Sequence, residues 1–568
     1  MPPAAADAPL MAGVLVAGTR SGCGKTTLTL SLLAALRRRG LLVQPCKAGP
    51  DFIDPTHHAA ITGRPSYNCD TWMGGEDGVR RVLARLRRQS PPADFLLAEG
   101  VMGLFDGAQG MGGPGSSAHL ARALHLPILL AVDVRGMGQS AAALAAGYVR
   151  QQPELRFAGL VCTHVGGQAH ADMLREAFAH TFGDAGPPLL GLLPRQGLPE
   201  LPSRHLGLIM AHEQHWTPAQ AESLAAWCET HMDVAGLLRQ CAPPPPATAC
   251  PQSPENSTEH CPAQSPACFP EHFPEDCPTH CPAHPTVHFP EDSPACFGDA
   301  PSPTASPPPA PRVGIARDEA FCFLYPDMPD VMRELGAEIV FFSPLRDAAP
   351  PPGCTLLYFP GGYPELYAAR LAANAGMRAA AAAFAASGGR IYGECGGYMY
   401  LMRSIEYEGR VWPMSGCLPL RCRVGARRAA LGYREVSPLA PSCFNRPSDG
   451  TSAARAALAF DNDAAVPGGT PTPGSALTSD DALAPGPARP APSGRGHEFH
   501  YAALTAPATL PPLWRVRDRQ GRPLPHEGVA QGSVAASWVH LYPEGARPLL
   551  HILIHGAGHA HRPLASFL

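Results

Sequence analysis

A glycine-rich loop between an apolar run and a helix-forming stretch constrains the fold of this chain more than any other feature. The residues read VLVAGTRSGCGKTTLTL from Val14 onwards, which is typical of a strand, a phosphate-binding loop and the first turns of a helix. Backbone N–H groups of the loop and the positive end of the helix would cradle phosphates. The stretch therefore predicts a parallel-sheet unit with a phosphate site at the end of its first strand.

Within this loop, Gly24, Lys25 and Thr26 form the centre of the predicted phosphate site. Lys25 would reach the β- and γ-phosphates of ATP, and the Thr26 hydroxyl would ligate Mg²⁺. Five residues separate Gly18 from Gly24, which is one more than the usual spacing, but the strand–loop–helix context still favours a nucleotide site. The residues predicted to bind ATP are Gly22, Gly24, Lys25, Thr26 and Thr27.

Short apolar runs alternate with helical stretches in two separate parts of the chain. VLVAG, DFLLAEGV, PILLAVDV and FAGLVC look like strands of the first part, and RVGIA, EIVFFSP, TLLYFPGG and GRIYGECGG look like strands of the second. Strands that alternate with helices indicate a mostly parallel sheet covered on both faces. The predicted fold class is therefore α/β, with a doubly wound sheet around the glycine-rich loop and a second α/β domain after it.

Composition marks the boundaries between these parts. Proline dominates from Cys241 to Pro311, where SPACF and HFPED each recur, and such a tract cannot bury enough apolar surface to fold. A later stretch rich in proline, glycine and alanine reads as a surface insertion. We predict a disordered N-terminus at 1–11, a P-loop domain at 12–240, a disordered linker at 241–311, and a second domain at 312–568 with a disordered insertion at 442–493.

The overall composition argues against several classes of protein. The formal net charge of −4 is unlike that of a nucleic-acid-binding surface, so we expect no nucleic-acid partner. Apolar runs are too short to cross a bilayer, and the N-terminal MPPAAADAP is unlike a signal peptide. The 18 cysteines lack a compact disulfide spacing, which favours a reducing compartment. We therefore expect a cytoplasmic protein with no membrane partner.

Four acidic residues follow or end apolar runs near the predicted phosphate site. Asp51 and Asp54 lie in KAGPDFIDPTHH. Glu99 ends the strand-like DFLLAE, and Asp106 follows in VMGLFDG. The carboxyl ends of parallel strands face the ligand crevice of such sheets, and Mg²⁺ prefers carboxylate and phosphate oxygens. The predicted metal ligands are Thr26, Asp54 and Glu99.

The stretch GRIYGECGGYMYL places a cysteine on a predicted sharp turn between a strand and a helix. In this G-x-C-x-G pattern, Cys395 would be a nucleophile, and the helix N-terminus would lower the pKa of its thiol. The N–H of Gly396 would donate to an oxyanion, and the glycine pair of YFPGGYPELY, Gly361 and Gly362, would supply further donors. The pattern therefore predicts thiol chemistry on a carbonyl group.

Such a thiol requires a base, and histidines near the C-terminus are the candidates. His497 and His500 lie in RGHEFHYA, and His540 follows the strand-like ASWV. The chain contains 24 histidines, so each of these has a high chance of being incidental. The residues alone leave the choice of base open.

Together these motifs resemble those of the cobyrinic acid and hydrogenobyrinic acid a,c-diamide synthases. The similar segments are GTRSGCGKTT, KAGPDFIDPTHH, EGVMGLFDG, RHLGL, PGGYPEL, ECGGYMYL, LGYRE and GHEFHY. They cover nearly the whole chain outside the proline-rich tract and the later insertion. The resemblance implies an N-terminal domain similar to dethiobiotin synthetase and a C-terminal domain similar to the flavodoxin-like triad glutamine amidotransferases.

The resemblance also implies an activity and a set of site residues. The reaction would be the ATP-dependent amidation of the a and c carboxylates of cobyrinic or hydrogenobyrinic acid, with glutamine as the nitrogen source and Mg²⁺ as the cofactor. Cys395 would be the glutaminase nucleophile and His540 its base. A homodimer is compatible with the resemblance. The acids that it places at the ATP and corrinoid site are Asp51, Asp54, Glu99 and Asp106.

Three positions depart from the family pattern. The glutamate that usually completes the catalytic triad has no counterpart here, as in close relatives. Tyr542 stands where a second histidine is common. Thr163 and His164 replace an Asn-Arg pair that can read adenine, which leaves the nucleotide selectivity open.

Alternatives exist within and outside this superfamily. Cobyric acid synthase and nickel-sirohydrochlorin a,c-diamide synthase are related amidoligases, although KAGPDFIDPTHH and RHLGL favour the a,c-enzyme of cobalamin biosynthesis over cobyric acid synthase. A partitioning-type P-loop switch ATPase would carry a lysine where Arg20 stands, five places before Lys25, and would have no use for a thiol. A non-enzymatic amidotransferase-like scaffold would not need an intact Lys25 and Cys395.

Overall fold

The computed structural model describes residues 12–108, 110–197, 203–204, 207–208, 210–214, 216–242, 309–439 and 492–556. The predicted N-terminal tail, nearly all of the predicted linker and insertion, and part of the RHLGL motif lie outside these residues. The described residues before 243 and from 310 onwards belong to one compact unit. The other unit, 244–309, lies outside the described residues except at its last position. Both predicted α/β parts therefore contribute to a single compact body.

The N-terminal part alternates strands and helices, as predicted. Its strands are β1 (Gly13–Gly18), β2 (Val43–Ala48), β3 (Tyr67–Cys69), β4 (Phe95–Glu99), β5 (Ile128–Asp133), β6 (Phe157–Val165), β7 (Leu189–Pro194), β8 (Ser203–Arg204) and β9 (Gly207–Leu208). Its helices are α1 (Lys25–Arg38), α2 (Asp54–Thr62), α3 (Gly75–Arg87), α4 (Ser117–Leu124), α5 (Ser140–Gln151), α6 (Gln168–Phe182), α7 (Ala211–Gln214), α8 (Pro218–His231) and α9 (Val234–Cys241).

The first seven strands form one sheet in the order β3-β2-β4-β1-β5-β6-β7, and every neighbouring pair is parallel. Alternate residues of β1 face opposite sides of this sheet. Leu15 and Ala17 pack into a core with helices α3 to α6, whereas Val14 and Val16 pack with α1, α8 and α9. Helices thus cover both faces, and the prediction of a doubly wound parallel sheet is confirmed.

The C-terminal part contains more strands than helices. Its strands are β10 (Arg312–Ala316), β11 (Glu338–Phe342), β12 (Leu356–Phe359), β13 (Arg390–Glu394), β14 (Ser404–Tyr407), β15 (Arg410–Pro413), β16 (Arg421–Val424), β17 (Ala430–Pro438), β18 (Gly494–His500), β19 (Ala502–Leu504), β20 (Trp514–Arg517), β21 (Pro523–Glu527), β22 (Val529–Gln531), β23 (Val534–Ser537) and β24 (Val539–Leu541). Its helices are α10 (Met328–Glu334), α11 (Ala368–Ala373), α12 (Ala375–Ala386), α13 (Gly396–Leu401) and α14 (Arg547–His555). Across the described parts of the chain, no helix is both long and apolar enough to cross a membrane.

The main C-terminal sheet has the order β11-β10-β12-β13-β23-β22 and is parallel except for the pair β22 and β23. This confirms the predicted second α/β domain. Two further sheets, β21-β20-β17-β18-β24 and β15-β14-β16-β19, were not predicted, because their short strands follow no simple alternation with helices. The first of them pairs β18 with β24 and sets His497 opposite His540.

Buried charged side chains join the two α/β parts. Arg85 of α3 lies 2.7 Å from Glu544 and 3.0 Å from Glu334 of α10, with Asp327 at 3.5 Å. Removing one partner from a buried ion pair typically costs about 3–5 kcal/mol, because the other charge is left uncompensated. The network therefore fixes α3 against the C-terminal part, and with it the relative position of the two candidate sites.

Candidate active sites

The loop between β1 and α1 has the conformation that its glycines predict. Gly22 and Gly24 have φ values of 72° and 91°, in the left-handed region that favours glycine. Helix α1 begins at Lys25, so the free N–H groups of its first turn border the loop. Thr26 and Thr27 belong to that first turn. All the residues predicted to bind ATP therefore surround one helix N-terminus.

Lys25 is folded back over this loop and is only 8% exposed. Its Nζ donates to the carbonyl oxygens of Arg20, at 3.0 Å, and Met102, at 2.6 Å. Burial lowers the pKa of the ammonium group. Both acceptors are uncharged, so phosphate oxygens would be stronger partners for this cation.

The three predicted metal ligands meet beside the loop. The Thr26 hydroxyl donates to Glu99 Oε1 at 2.7 Å and lies 3.4 Å from Asp54 Oδ2. Lys47, near the end of β2, places its Nζ 2.6 Å from Asp54 Oδ2 and 2.8 Å from Glu99 Oε1. Asp51 is farther away, at 3.8 Å from the same Nζ. One ammonium group thus bridges the two carboxylates.

Sequence reasoning assigned no role to Lys47, although the sequence contains a signal for it. Lysine occurs at only two positions of the chain, 25 and 47, and arginine fills all the remaining Lys/Arg positions. A compact ammonium group fits between two buried carboxylates, whereas a planar guanidinium is larger and has a fixed fork of donors. Both lysines of a lysine-poor chain therefore belong to one site.

The charges in this cluster shift one another's protonation. Burial alone would lower the pKa of Lys47, but the carboxylates of Asp54 and Glu99 outweigh burial and raise it. Burial alone would raise the pKa of Glu99, but Lys47 and His58, whose Nε2 lies 2.7 Å from Glu99 Oε2, bring it below its usual range. Burial and the charge of Asp51 raise the pKa of Asp54. A further cation beside Asp54 would favour the ionised form of this carboxyl group.

No group of three or more His, Cys, Asp or Glu side chains within the described residues has the arrangement of a self-contained metal site. Mg²⁺ does not require one, because one or two carboxylates usually hold it together with substrate phosphates and water. Asp54, Glu99 and the Thr26 hydroxyl, beside the phosphate loop, fit that pattern. Asp106 has a different environment, since its Oδ2 accepts the Gly103 N–H at 2.9 Å in the turn after β4.

Thr163 and His164, at the end of β6, lie against the phosphate loop. The Thr163 hydroxyl donates to the Cys23 carbonyl at 2.8 Å. A Cβ placed on Gly24 would lie 3.9 Å from the His164 ring. His164 Nδ1 is 3.1 Å from Asp133 Oδ1. Thr163 and His164 therefore lie against the loop that is predicted to bind phosphates.

Cys395 occupies a strained turn between β13 and α13. Its φ is 47°, in the left-handed region that is uncommon for residues other than glycine. A Cβ on Gly397 would lie 2.0 Å from the Phe359 carbonyl oxygen, so only glycine allows α13 to approach β12 this closely. The turn has the geometry predicted for a nucleophile elbow.

The glycine pair after β12 lies between the cysteine turn and a histidine. A Cβ on Gly396 would lie 2.9 Å from the Gly362 nitrogen, so these backbones are in close contact. A Cβ on Gly361 would lie 2.3 Å from Cε1 of His540. The three glycines predicted to stabilise an oxyanion therefore connect the thiol turn to His540.

His540 is the candidate base that packs against this glycine pair. His500 is engaged by Glu498, whose Oε1 lies 2.9 Å from its Nε2, and by a backbone carbonyl. His497 Nδ1 lies 3.0 Å from the Tyr325 hydroxyl, and its ring stacks on His540 at a centroid distance of 4.9 Å. His540 Nδ1 has no hydrogen-bond partner among the described residues.

Burial controls the protonation of both the candidate thiol and the candidate base. Burial, together with the nearby carboxyl groups of Glu365 and Glu394, raises the pKa of the Cys395 thiol. The prediction that a helix N-terminus lowers this pKa is wrong, because α13 has only six residues and the Gly396 N–H offsets only part of the effect of burial. Burial also lowers the pKa of His540. The resting pair is therefore a thiol and a neutral imidazole.

Glu394, directly before Cys395, joins the strands that carry the thiol and the base. Its Oε1 accepts the Leu541 N–H at 3.1 Å, next to His540. Its Oε2 accepts the Tyr358 hydroxyl at 2.8 Å. Burial raises the pKa of Glu394 to about 8. Sequence reasoning missed this residue, and the available signal was an acidic side chain at the end of a buried strand.

Two family models and several curated proteins match this chain. Residues 14–209 match the CobQ/CobB/MinD/ParA nucleotide binding domain, and residues 312–453 match the CobB/CobQ-like glutamine amidotransferase domain. The chain is 38% identical to the cobyrinate a,c-diamide synthase of Syntrophotalea carbinolica over 93% of this chain and 95% of that protein. It is 37% identical to the hydrogenobyrinate a,c-diamide synthase of Rhodobacter capsulatus over 93% of this chain and 98% of that protein. The resemblance inferred from the motifs is thus confirmed, and the chain belongs to the cobyrinate and hydrogenobyrinate a,c-diamide synthase family.

Proposed function

We propose that this chain is a ligase of cobalamin biosynthesis that amidates the a and c carboxylates of cobyrinic or hydrogenobyrinic acid, with ATP and glutamine as co-substrates. The observation that carries the proposal is the presence of two sites in one compact unit. One is a candidate phosphate loop with an acid cluster, and the other is a thiol turn that a glycine pair connects to the buried His540. The names of the relatives supply the substrate. A cytoplasmic location and a homodimeric assembly are further parts of the proposal.

At the thiol site, the proposed reaction releases ammonia from glutamine. His540 takes the proton of Cys395 as Sγ attacks the carboxamide carbon. The N–H groups of Gly396, Gly361 and Gly362 donate to the resulting oxyanion. The C–N bond then breaks, His540 returns the proton to the leaving nitrogen, and ammonia departs. Water attacks the remaining thioester, which releases glutamate and restores the thiol.

At the phosphate site, a corrinoid carboxylate must be activated, because a carboxylate is a poor electrophile. One of its oxygens attacks the γ-phosphorus of ATP, the bond to ADP breaks, and an acyl phosphate forms. Lys25 exchanges its two carbonyl partners for oxygens of the transferred phosphoryl group and offsets their charge. Ammonia then attacks the acyl carbon, phosphate leaves, and loss of a proton gives the amide.

Mg²⁺ belongs to the proposal as the cofactor of the phosphate site. Thr26, Asp54 and Glu99 would hold it, and when bound it would neutralise charge on the phosphate oxygens. Lys47 holds both carboxylates through its contacts of 2.6 and 2.8 Å. His58 contacts the second oxygen of Glu99 at 2.7 Å, so this carboxylate is oriented from two sides.

The products test the assignment of the substrate. The protein is incubated with ATP, Mg²⁺, glutamine and either cobyrinic acid, hydrogenobyrinic acid or nickel-sirohydrochlorin, and the products are identified by mass spectrometry. We expect the a,c-diamide of cobyrinic or hydrogenobyrinic acid, together with ADP and glutamate, and no amide when ATP is omitted. Amidation of nickel-sirohydrochlorin alone, or of corrinoid side chains other than a and c, would assign the chain to a related amidoligase instead.

Glu394→Ala should slow glutamine-dependent amidation about tenfold or more, because the Leu541 N–H and the Tyr358 hydroxyl lose a buried acceptor at about 1–3 kcal/mol each. Strand β24 would then be less firmly held beside Cys395. Glu394→Gln is the matched control, since its amide oxygen still accepts the Leu541 N–H and most activity should remain. The initial rate of glutamate release measures the effect. Equal losses in the two variants would show that Glu394 acts through its ionisable carboxyl group and not through this acceptor.

A further inference from the structure

One aromatic side chain links the two candidate sites. Phe52 lies in the short loop between β2 and α2. Its ring contacts Tyr325 at a centroid distance of 4.6 Å and His540 at 5.2 Å. It also stacks on Phe323 at 5.2 Å and lies 5.5 Å from His497. A residue of the phosphate-site loop is therefore part of the ring cluster around the candidate base.

Two acids of the candidate phosphate site lie on either side of Phe52, Asp51 in the same loop and Asp54 at the start of α2. Asp51 Oδ1 accepts the N–H groups of Ile53, at 2.8 Å, and Asp54, at 3.1 Å, which closes a tight turn. Asp54 in turn contacts Lys47 at 2.6 Å. Because the turn is short and internally hydrogen-bonded, a displacement of either carboxylate also displaces Phe52.

A hydrogen-bonded bridge ties this loop to the strand of the candidate base. Nδ2 of the buried Asn68 donates to the carbonyl oxygens of Gly49 and Asp51, both at 2.8 Å. The carbonyl oxygen of Asn68 accepts the Tyr542 hydroxyl at 2.8 Å. Tyr542 follows His540 by two positions. The loop therefore contacts His540 through the ring of Phe52. It is also connected, through the hydrogen bonds of Asn68, to Tyr542, which directly follows the strand that carries His540.

Packing orients the His540 ring. Its Nδ1 has no hydrogen-bond partner within the described residues, so no carboxylate fixes the ring through that atom. His497 lies nearly parallel to it, with 13° between the ring planes. Phe52 contacts it from the other α/β part with an interplanar angle of 48°. The orientation of the base thus depends on a side chain whose backbone belongs to the phosphate site.

We propose that Phe52 is a positioning residue that makes glutamine hydrolysis at Cys395 depend on the occupancy of the phosphate and acid site. When ATP and the corrinoid engage Asp51 and Asp54, the turn is displaced or stiffened, and Phe52 carries this change to His540. Glutamine is then hydrolysed efficiently only when an acceptor for ammonia is present. The inference rests on the proposed function, since it takes His540 as the base.

Phe52→Leu tests the proposal, with Phe323→Leu as its matched control. Phe323 contacts both Phe52 and His540 but lies outside the phosphate-site loop. Glutamate release is measured with and without ATP plus hydrogenobyrinic acid. In the wild-type protein we expect these substrates to raise kcat for glutamine hydrolysis about fivefold or more, the lower end of typical coupling between sites.

The two variants should separate coupling from packing. In Phe52→Leu, ATP plus hydrogenobyrinic acid should no longer raise kcat for glutamine hydrolysis, so that the ratio with and without these substrates is about 1. Amidation from ammonium chloride should stay within about threefold of wild type, because Asp51 and Asp54 themselves are unchanged. Phe323→Leu should slow glutamine hydrolysis but retain the stimulation. Phe52→Tyr, which keeps the ring, should also retain it. Circular dichroism verifies that each variant is folded.

Several results would overturn the role of Phe52. One such result is that ATP plus hydrogenobyrinic acid stimulates glutamine hydrolysis in Phe52→Leu as much as in the wild type, and another is that the wild type shows no stimulation. A third is that Phe52→Leu loses amidation from glutamine and from ammonia to the same extent. The last result would mean that Phe52 only supports the acid loop. Failure of the proposed function has a different signature, in which the wild type amidates no corrinoid from either nitrogen source. In that case glutamate release is measured with and without ATP alone in the wild type and in Phe52→Leu. A stimulation by ATP that is present in the wild type and lost in Phe52→Leu would support the role of Phe52, and an equal response of the two proteins would overturn it.

Discussion

Cys395→Ala should abolish the use of glutamine and leave amidation from free ammonia intact. Without the thiol no thioester forms, and we expect glutamate release to fall by about 10⁴-fold or more, the scale seen when a covalent nucleophile is removed. Cys395 lies in the turn between β13 and α13, whereas the phosphate loop lies between β1 and α1, so amidation from ammonium chloride should stay within about threefold of wild type. Mass spectrometry of the corrinoid product with each nitrogen source measures both effects.

Cys354→Ala provides a matched control for this prediction. Cys354 precedes β12, and the glycine pair follows the opposite end of that strand, so the same substitution removes a thiol away from the site. This variant should retain both activities. If Cys395→Ala instead loses both activities to the same extent, the thiol site and the phosphate site do not divide the reaction between them.

Burial of Cys395 and His540 determines the protonation state of the candidate nucleophile and base. Burial raises the pKa of Cys395 and lowers the pKa of His540, so the neutral thiol and imidazole are favoured in the free protein. The thiolate is the reactive form of cysteine and is therefore scarce in the free protein. The same scarcity limits oxidation, which also follows thiolate character and exposure.

Local features of the sequence were sufficient to predict the conformation of the candidate phosphate loop. Gly24, Lys25 and Thr26 are consecutive, and their conformation follows from glycine flexibility and the start of a helix. Asp54 and Glu99 come from distant segments, but the carboxyl ends of neighbouring parallel strands meet at one edge of a sheet. The strand periodicity that predicted the sheet therefore also predicted that these acids would be close.

Features that depend on tertiary packing could not be predicted in this way. Glu394 and Phe52 contact β24 residues far away in the chain, and no local pattern specifies such contacts. The residues alone could not select His540, because that choice depends on the register that sets His497 opposite it. The pKa of Cys395 was predicted in the wrong direction because a helix terminus is a local feature, whereas burial is a property of the whole fold.

Lys25→Met should abolish amidation from both glutamine and ammonia and leave basal glutamine hydrolysis unchanged. The expected loss is about 10³-fold or more, which is the scale on which a single positive charge acts on phosphoryl transfer. Stability should change little, because Lys25 Nζ contacts two carbonyl oxygens and its removal leaves no buried carboxylate unpaired. Corrinoid-dependent ADP release and product mass measure the activity, and urea unfolding measures the stability.

Lys47→Met is the matched contrast, since Lys47 is the only other lysine of the chain and contacts Asp54 and Glu99 of the acid cluster. Its removal leaves Glu99 and Asp54 without their shared cation, so we expect the free energy of unfolding to fall by about 3–5 kcal/mol, in addition to a loss of amidation. A Lys25→Met variant that is destabilised as much as Lys47→Met would show that Lys25 is a structural cation. Amidation by Lys25→Met from ammonia at the wild-type rate would place the phosphate site elsewhere.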